Sequence, residues 1–204
     1  SFVLGTRFTV QREVRRGAQG IVFKALRAAT PTGEAAADVV ALKVYAPGTQ
    51  LARIEREIDA LTQIRHSSTA NLVEHGTLEL GAGETIYVAC DFIEGTALDE
   101  RLSASGAVSY RTAAVIGRDI ATAIAQLWAH RIVHRDVSPK NIMLRIGERE
   151  AVLIDLGIAR HVQRRAITSG GRAWGTEGYM SPEQYRAEQQ LSALSDVFSL
   201  GVVL

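Results

Sequence analysis

The segment 134–141, His-Arg-Asp-Val-Ser-Pro-Lys-Asn, carries a carboxylate and a carboxamide five positions apart, in what the flanking pattern predicts to be one short loop. The carboxylate of Asp136 could orient an attacking hydroxyl and accept its proton. The amide oxygen of Asn141 could hold a magnesium ion on phosphate groups. Two such side chains at this spacing indicate phosphoryl transfer.

A second carboxylate, Asp155, follows the apolar run 151–154, which predicts a short buried strand. Gly157 comes two residues later and lets the chain turn, so the carboxylate could chelate a metal ion that faces the first loop. The sequence Asp-Leu-Gly is common, however, and usually marks only a turn. From these residues alone, both interpretations stay open.

Apolar periodicity predicts the elements on either side of the loop. Residues 109–131 form a helical pattern with Ser109 as N-cap, and this helix delivers the chain to the loop. Residues 142–146 form an apolar pattern that predicts a strand. The helical stripe is apolar throughout and is expected to be core: Ala113, Ile116, Ile120, Ile124, Leu127 and Trp128.

The first 27 residues alternate between apolar and polar side chains, which predicts a hairpin with Gly17 and Gly20 at its tip. Because glycine has no Cβ, such a tip can bring backbone N–H groups against phosphate oxygens. Most glycine-rich turns between strands are plain hairpins, so this pattern alone is weak evidence for a phosphate site.

The apolar strand predicted for residues 39–45 carries one charge, and period two places Lys43 and Ala41 on the same face. In the helix predicted for residues 53–65, Glu57 falls inside the apolar stripe, where a carboxylate needs a cation. We expect Glu57 to pair with Lys43. The alternative is that Lys43 reaches water at a strand edge and Glu57 is solvated at the margin of the stripe.

Composition argues against several classes of protein. The 23 basic and 22 acidic residues are interspersed and give a formal charge of +1, so no nucleic-acid footprint or polybasic membrane patch stands out. The apolar stretch 113–128 contains Arg118 and Asp119, which predicts a buried helix and not a membrane span. The single cysteine, Cys90, excludes an intrachain disulfide and favours a reducing compartment, which predicts a cytoplasmic location. A membrane tether outside these residues is an open alternative for the full-length protein.

Taken together and in order, these motifs resemble the protein kinase family, and they are most similar to bacterial Ser/Thr protein kinases of the eukaryotic type. The loop with Asp136 and Asn141 resembles the catalytic loop, Val-Ala-Leu-Lys the phosphate-binding strand, and Asp-Leu-Gly the metal-binding Asp-Phe-Gly motif. The segment 175–184 resembles the one that seats the peptide. Residues 195–204 resemble the start of the central helix, where Asp196 would cap the helix and hold the catalytic-loop backbone.

The fold that this resemblance implies is α+β and bilobal. It has an antiparallel five-stranded N-lobe with one helix, and a mainly helical C-lobe. The implied division is residues 1–90 for the N-lobe, 91–95 for the hinge and 96–204 for a C-lobe truncated in its central helix. In these 204 residues alone, the face that the family covers with further helices would meet water: Val197, Leu200, Gly201 and Leu204.

The resemblance also assigns residues to ATP and to Mg²⁺, or Mn²⁺ in its place. The implied catalytic residues are Asp136, Lys43, Glu57, Asn141 and Lys140. The implied nucleotide-binding residues are Gly17, Gly20, Val22, Ala41, Lys43, Cys90, Asp91 and Met143. The implied metal ligands are Asn141 and Asp155.

The implied activity is phosphate transfer to Ser and Thr hydroxyls of proteins, because Thr176 resembles the threonine that Ser/Thr kinases place beside the catalytic aspartate. Segment 161–173 takes the place of the activation loop. Thr168 and Ser169 are its implied phosphorylation sites, and Arg135 would pair with the phosphate. A homodimer in which one copy phosphorylates the other belongs to the same set of expectations.

Two positions depart from the family pattern. Arg15 replaces the first glycine of the glycine-rich loop and should stiffen it. Ser138 stands where many Ser/Thr kinases have a lysine that touches the γ-phosphate; Lys140 could supply that charge or face solvent.

Two other classes compete with an active protein kinase. One is a pseudokinase that binds nucleotide or a partner without efficient transfer, and the other is a small-molecule phosphotransferase of the aminoglycoside-kinase type. The full set of polar residues in the kinase motifs argues against the first class. The peptide-seating segment 175–184 argues against the second.

Overall fold

The alternating segments of the first half form a single antiparallel sheet in the computed structural model. The structure describes residues 2–5, 7–17, 19–28, 38–81, 83–156, 160–161, 175–188 and 190–204. The sheet strands are β1 (Phe2–Leu4), β2 (Phe8–Gly17), β3 (Gly20–Arg27), β4 (Asp38–Tyr45), β5 (Leu72–Leu80) and β6 (Gly83–Asp91). Their order in space is β1-β2-β3-β4-β6-β5. The five longer strands are those expected, and the short β1 pairs onto the start of β2.

One face of this sheet carries the core of the first unit. Val40, Leu42 and Val44 of β4 belong to an apolar cluster with Phe8 and Phe23. Their neighbours in β4, Ala41 and Lys43, are only half-buried because successive side chains of a strand point to opposite faces. The period-two prediction for this strand is therefore confirmed.

A partly buried carboxylate of β5 joins several segments of the sheet. Glu74 of β5 accepts hydrogen bonds from Arg7 at 2.9 Å, Arg27 at 3.0 Å and the Tyr87 hydroxyl at 2.8 Å. Burial, together with the Glu74 carboxylate, raises the pKa of Tyr87 to about 12, so this hydroxyl remains a donor throughout the neutral range. Glu74 thus links β3, β6 and the turn before β2 through one side chain.

We expect Glu74→Ala to lower the free energy of unfolding by about 3 kcal/mol, because it removes the acceptor of the Arg7 guanidinium and of the buried Tyr87 hydroxyl and leaves Arg27 with Asp38 alone. Urea denaturation with an unchanged m-value would measure this loss. Glu79→Ala, an exposed position in the same strand, is the matched control and should change stability by less than about 0.5 kcal/mol. Equal losses in the two variants would contradict the role assigned to Glu74.

Among the described residues, the second unit contains short strands and, except for Leu51 at the start of α1, the α-helices. The helices are α1 (Leu51–Gln63), α2 (Leu98–Ser105), α3 (Tyr110–Ala129), α4 (Pro182–Tyr185) and α5 (Ala193–Val203), and a short 3₁₀ helix spans Pro139–Asn141. The strands are β7 (Gly95–Ala97), β8 (Ile132–Val133), β9 (Ile142–Arg145), β10 (Ala151–Leu153) and β11 (Arg160–His161). β9 lies between β10 and β7, and β8 pairs with β11.

The chain divides into two compact units, Ser1–Leu51 with Asn71–Phe92, and Ala52–Ala70 with Ile93–Leu204. The expected lobe boundaries at 90 and 95 remain a prediction. Among the helices of the described ranges, none has the length and apolarity that a membrane span requires.

Helix α3 begins as predicted, because the Ser109 side chain accepts a hydrogen bond from the Thr112 amide at 3.1 Å. The helix ends at Ala129, two residues before the predicted end at 131. The difference arises at Arg131, whose φ of 58° lies in the left-handed region and cannot continue a right-handed helix.

Helix α5 is polar on its inner side and apolar on its outer side. Ser195, Asp196 and Ser199 are buried, together with Leu200. The exposed side chains are large and apolar: Leu194, Val197, Phe198, Val202 and, at the C-cap, Leu204. Of the apolar face expected from the sequence, only Leu200 is covered within the described residues.

Candidate active site

The loop that carries Asp136 is held between two buried strands. β8 ends at Val133, which is fully buried, and the chain re-enters the core at Ile142, where β9 begins. The 3₁₀ helix Pro139–Asn141 closes the loop. The backbone amide of Asn141 donates to the Ser138 carbonyl at 2.9 Å. Its first residue is proline, whose fixed φ suits the start of a helical turn. The expected compact loop is thus present.

Three side chains donate to the carboxylate of Asp136. Thr176 donates its hydroxyl to Oδ1 at 2.5 Å, and Asn141 donates its amide to Oδ2 at 2.9 Å. Lys140 forms an ion pair with Oδ2 at 3.0 Å. The structure therefore brings together four of the residues selected from the sequence, and it orients the carboxylate from both of its oxygens.

The two expected metal ligands flank a pair of antiparallel strands: Asn141 comes just before β9, and Asp155 comes two residues after the end of β10. The Ile154 amide donates to the Asn141 carbonyl at 2.9 Å, so Asp155 continues directly from a residue paired with Asn141. The Asn141 side-chain nitrogen faces Asp136 and donates to both its backbone and its side chain at 2.9 Å. The amide oxygen consequently points away from Asp136, and the Asp155 side chain is exposed. Carboxylate and amide oxygens are donors that Mg²⁺ prefers, so these two residues fit a magnesium site.

Asp196 holds the backbone of the loop from the inside. Its two carboxylate oxygens accept from the amides of His134 and Arg135, both at 2.8 Å. Burial raises the pKa of Asp196, and the neighbouring His134 and the two amide donors act in the opposite direction. The predicted contact with the catalytic-loop backbone is confirmed.

The predicted helix cap at Asp196 is wrong. Ser192 is the N-cap of α5, and its side chain accepts from the Leu194 amide at 3.3 Å. Asp196 lies inside the first turn of the helix, with its carboxylate directed to the loop.

Gln184 makes a contact with the loop that the sequence did not predict. Its side-chain nitrogen donates to the Arg135 carbonyl at 2.8 Å, across 49 residues of sequence. The spacing of Ser181 and Gln184 is a capping-box signature, and the structure forms that box at the start of α4. The signature could have located the helix but not the second contact of the glutamine.

In the first unit, strand register places the expected nucleotide residues on neighbouring positions. Val22 of β3 is paired with Lys43 of β4, and Ala41 of β4 is paired with Cys90 of β6. Directly paired residues share a face of the sheet. Lys43 also donates to the Gln19 side chain at 3.5 Å, beside the glycine-rich turn. These four residues therefore line one half-buried surface opposite the apolar core.

The two glycines of the turn differ in what the fold requires. A Cβ on Gly20 would lie 2.0 Å from the Val44 carbonyl oxygen, and its φ is +147°, so glycine is needed there for strand packing. A Cβ on Gly17 would meet nothing within 4 Å. Arg15, at the position of the missing first glycine, is paired with Val22.

Of the remaining expected residues, three have described positions and three fall outside the described part of the chain. Glu57 is buried in α1, as its place in the apolar stripe predicts, and its pairing with Lys43 stays a prediction. The Asp91 carboxylate accepts from Asn71 at 2.8 Å. Met143 is half-buried in β9, two residues after Asn141. Gly157, Thr168 and Ser169 are not among the described residues.

Ser138 is fully buried and lies against the threonine that donates to Asp136. Its hydroxyl is 3.3 Å from the Thr176 hydroxyl. A serine at this position cannot supply the charge of the lysine that many Ser/Thr kinases have there. Lys140 does supply a cation at Asp136, and its side chain remains partly exposed.

The sequence is similar to known protein kinases. The Protein kinase domain family matches residues 8–204. The chain is 31% identical to serine/threonine-protein kinase PkaA of Streptomyces coelicolor over 98% of its length, and 34% identical to serine/threonine-protein kinase PknB of Mycolicibacterium smegmatis over 74%. It is 29% identical over 98% of its length to serine/threonine-protein kinase PknA of Mycobacterium tuberculosis. The chain spans 38%, 24% and 46% of these three relatives, respectively.

Proposed function

The chain belongs to the protein kinase family, and from this premise we propose that its protein transfers the γ-phosphate of ATP to Ser and Thr hydroxyls of protein substrates. The observation that carries the proposal is the carboxylate of Asp136, which is held by the Thr176 hydroxyl, the Asn141 amide and the Lys140 ammonium. A carboxylate fixed in this way can orient an acceptor hydroxyl and take its proton as the phosphate is transferred.

Asn141 and Asp155 would hold Mg²⁺, or Mn²⁺ in its place, through their oxygen atoms. The metal ion supplies positive charge that neutralises the phosphate oxygens. Lys43 would contact the α- and β-phosphates, with Glu57 as its partner. Val22, Ala41 and Cys90 would contact the adenine, because they share the face of the sheet that carries Lys43.

Lys140 would replace the charge that is missing at Ser138. Its ammonium already lies 3.0 Å from the proposed base, and its side chain is long enough to reach a phosphate beside that carboxylate. Ser138 would instead support the Thr176 hydroxyl. The lysine and the serine would thus divide between them what one lysine does in many Ser/Thr kinases.

Regulation by phosphorylation belongs to the same proposal. Thr168 and Ser169 would accept phosphate from a second copy of the chain in a homodimer. Arg135, which adjoins Asp136, would pair with the new phosphate and order the segment around it. The backbone amide of Arg135 donates to Asp196, so the new ion pair and this hydrogen bond would involve the same residue.

The test is to incubate the full-length protein with labelled ATP and Mg²⁺, with and without a generic protein acceptor, and to measure its melting temperature with the same nucleotide. We expect label on Ser and Thr and a higher melting temperature, since a ligand that binds only the folded form stabilises it. Lys140→Met should reduce transfer and keep the nucleotide-dependent rise. A rise without transfer would contradict the proposal and leave a nucleotide-binding scaffold; no rise at millimolar Mg·ATP would remove the nucleotide site as well.

A further inference from the structure

Arg135, the residue immediately before Asp136, has an unusual backbone conformation. Its φ is 71°, in the left-handed region that non-glycine residues seldom adopt. Such a conformation persists only where surrounding contacts over-determine it. The direction in which the chain presents Asp136 depends on it, because a rotation about this backbone would swing the next side chain.

Two side chains fix the peptide groups around Arg135 from opposite sides. Asp196 accepts from the Arg135 amide at 2.8 Å, and Gln184 donates to the Arg135 carbonyl at 2.8 Å. Gly175 leaves room for this arrangement, since a Cβ there would lie 3.0 Å from the same carbonyl oxygen. Asp196 was expected from the family resemblance, whereas Gln184 has no role in the mechanism described above.

Two hydrogen bonds set the orientation of the Gln184 side-chain amide. Its oxygen accepts from the Ser181 amide at 3.3 Å, and its nitrogen faces the Arg135 carbonyl, which can only accept. The side chain is 3% exposed, so water does not compete for either contact. Helix α4 is itself tied to α5, because Ser195 donates to Glu183 at 2.5 Å.

We propose that Gln184 is a positioning residue for Asp136, and that it acts by holding Arg135 in the left-handed conformation. The inference rests on the proposed function, because the side chain that Gln184 would position, Asp136, is the proposed proton acceptor. It adds that the hydrogen bond from Gln184 to Arg135 links helix α4 to the backbone of the catalytic loop. Displacement of α4 would release the Arg135 carbonyl and let the Asp136 carboxylate turn away from its donors.

The decisive variant is Gln184→Glu, which keeps the shape and the oxygen that accepts from Ser181 but presents a second oxygen to the Arg135 carbonyl. We expect kcat to fall about 10- to 100-fold, with KM for ATP within about twofold of the parent. A protonated glutamic acid can donate again, so the ratio of parent to variant kcat should shrink from pH 8 to pH 5.5. Gln126→Glu makes the same change at an exposed position of α3 and should leave kcat unchanged at both pH values.

A second variant tests the route through Arg135. Glycine adopts positive φ without strain, so Gln184→Glu should cost less in an Arg135→Gly background than in the parent. Hydrogen exchange followed by mass spectrometry gives a readout that needs no activity: the peptide containing His134 and Arg135 should exchange faster in Gln184→Glu. If this variant does not fold, Gln184→Met, which removes the donor without adding a titratable group, takes its place in the kinetic comparison, the Arg135→Gly background and the exchange measurement, but not in the pH comparison.

Parent-like kcat and exchange in Gln184→Glu would overturn the inference. So would a deficit that is the same at both pH values and in both backgrounds, because that would indicate a general structural role. If the parent itself transfers no phosphate, the proposed function fails, and the exchange measurement still decides whether Gln184 holds the loop.

Discussion

Asp136→Asn should lower turnover by roughly a hundred- to ten-thousandfold, while the affinity for ATP changes little. The variant loses the group that accepts the proton of the attacking hydroxyl, and general-base assistance of this kind contributes an effect of about that size. The variant also loses hydrogen bonds around this side chain. Thr176, Asn141 and Lys140 all donate to Asp136, and an asparagine offers them one oxygen instead of two.

Steady-state transfer of labelled phosphate and calorimetric titration with Mg·ATP would separate these two quantities. Glu100→Gln, which removes a carboxylate at an exposed position of α2, is the matched control and should keep both turnover and affinity. Full activity in Asp136→Asn would show that this loop is not the catalytic one.

Asp196→Ala should lower both the stability and the activity of the protein. The change removes the acceptor of the His134 amide, which is buried, and of the Arg135 amide, which is partly buried; a buried amide left unsatisfied costs about 1–3 kcal/mol. We therefore expect a loss of about 4 kcal/mol, against a total of about 5–15 kcal/mol for an ordinary domain. Asp196→Asn keeps one acceptor and should lose about half as much.

Denaturant unfolding measures this loss, and Ser192→Ala provides the comparison on the same helix. That variant removes the N-cap of α5 and should cost about 1 kcal/mol without affecting the loop. If Asp196→Ala were no more destabilising than Ser192→Ala, the two amide contacts would contribute little, and the loop would have to be held by other groups.

Features that depend on local periodicity could be predicted from the sequence. The alternation in β4 predicted which side of the strand Lys43 would occupy, and the helical stripe of α1 predicted that Glu57 would be buried. Asp136 and Asn141 lie close together in the sequence, so their contact follows from any compact loop. In each case the physical constraint acts within a few residues of chain.

Features that depend on tertiary packing could not be predicted in the same way. The resemblance to the kinase central helix implied that Asp196 caps α5. In the folded chain the helix begins earlier, at Ala193, and the carboxylate turns inward to amides some sixty residues away. The contact of Gln184 with Arg135 likewise joins distant segments, and no periodicity encodes it.

Helix α5 connects the loop of residues 134–141 with an exposed apolar surface on the other side of the helix. The inner side of the helix holds the loop through Asp196, while the outer side exposes Leu194, Val197, Phe198 and Val202. Each Å² of apolar surface withdrawn from water is worth about 25 cal/mol. Anything apolar that covers this outer side would therefore favour the same conformation of α5 that places Asp196 on the loop. Because such coupling is reciprocal, the conformation that orients Asp136 would in turn raise the affinity of the outer side of α5 for an apolar partner.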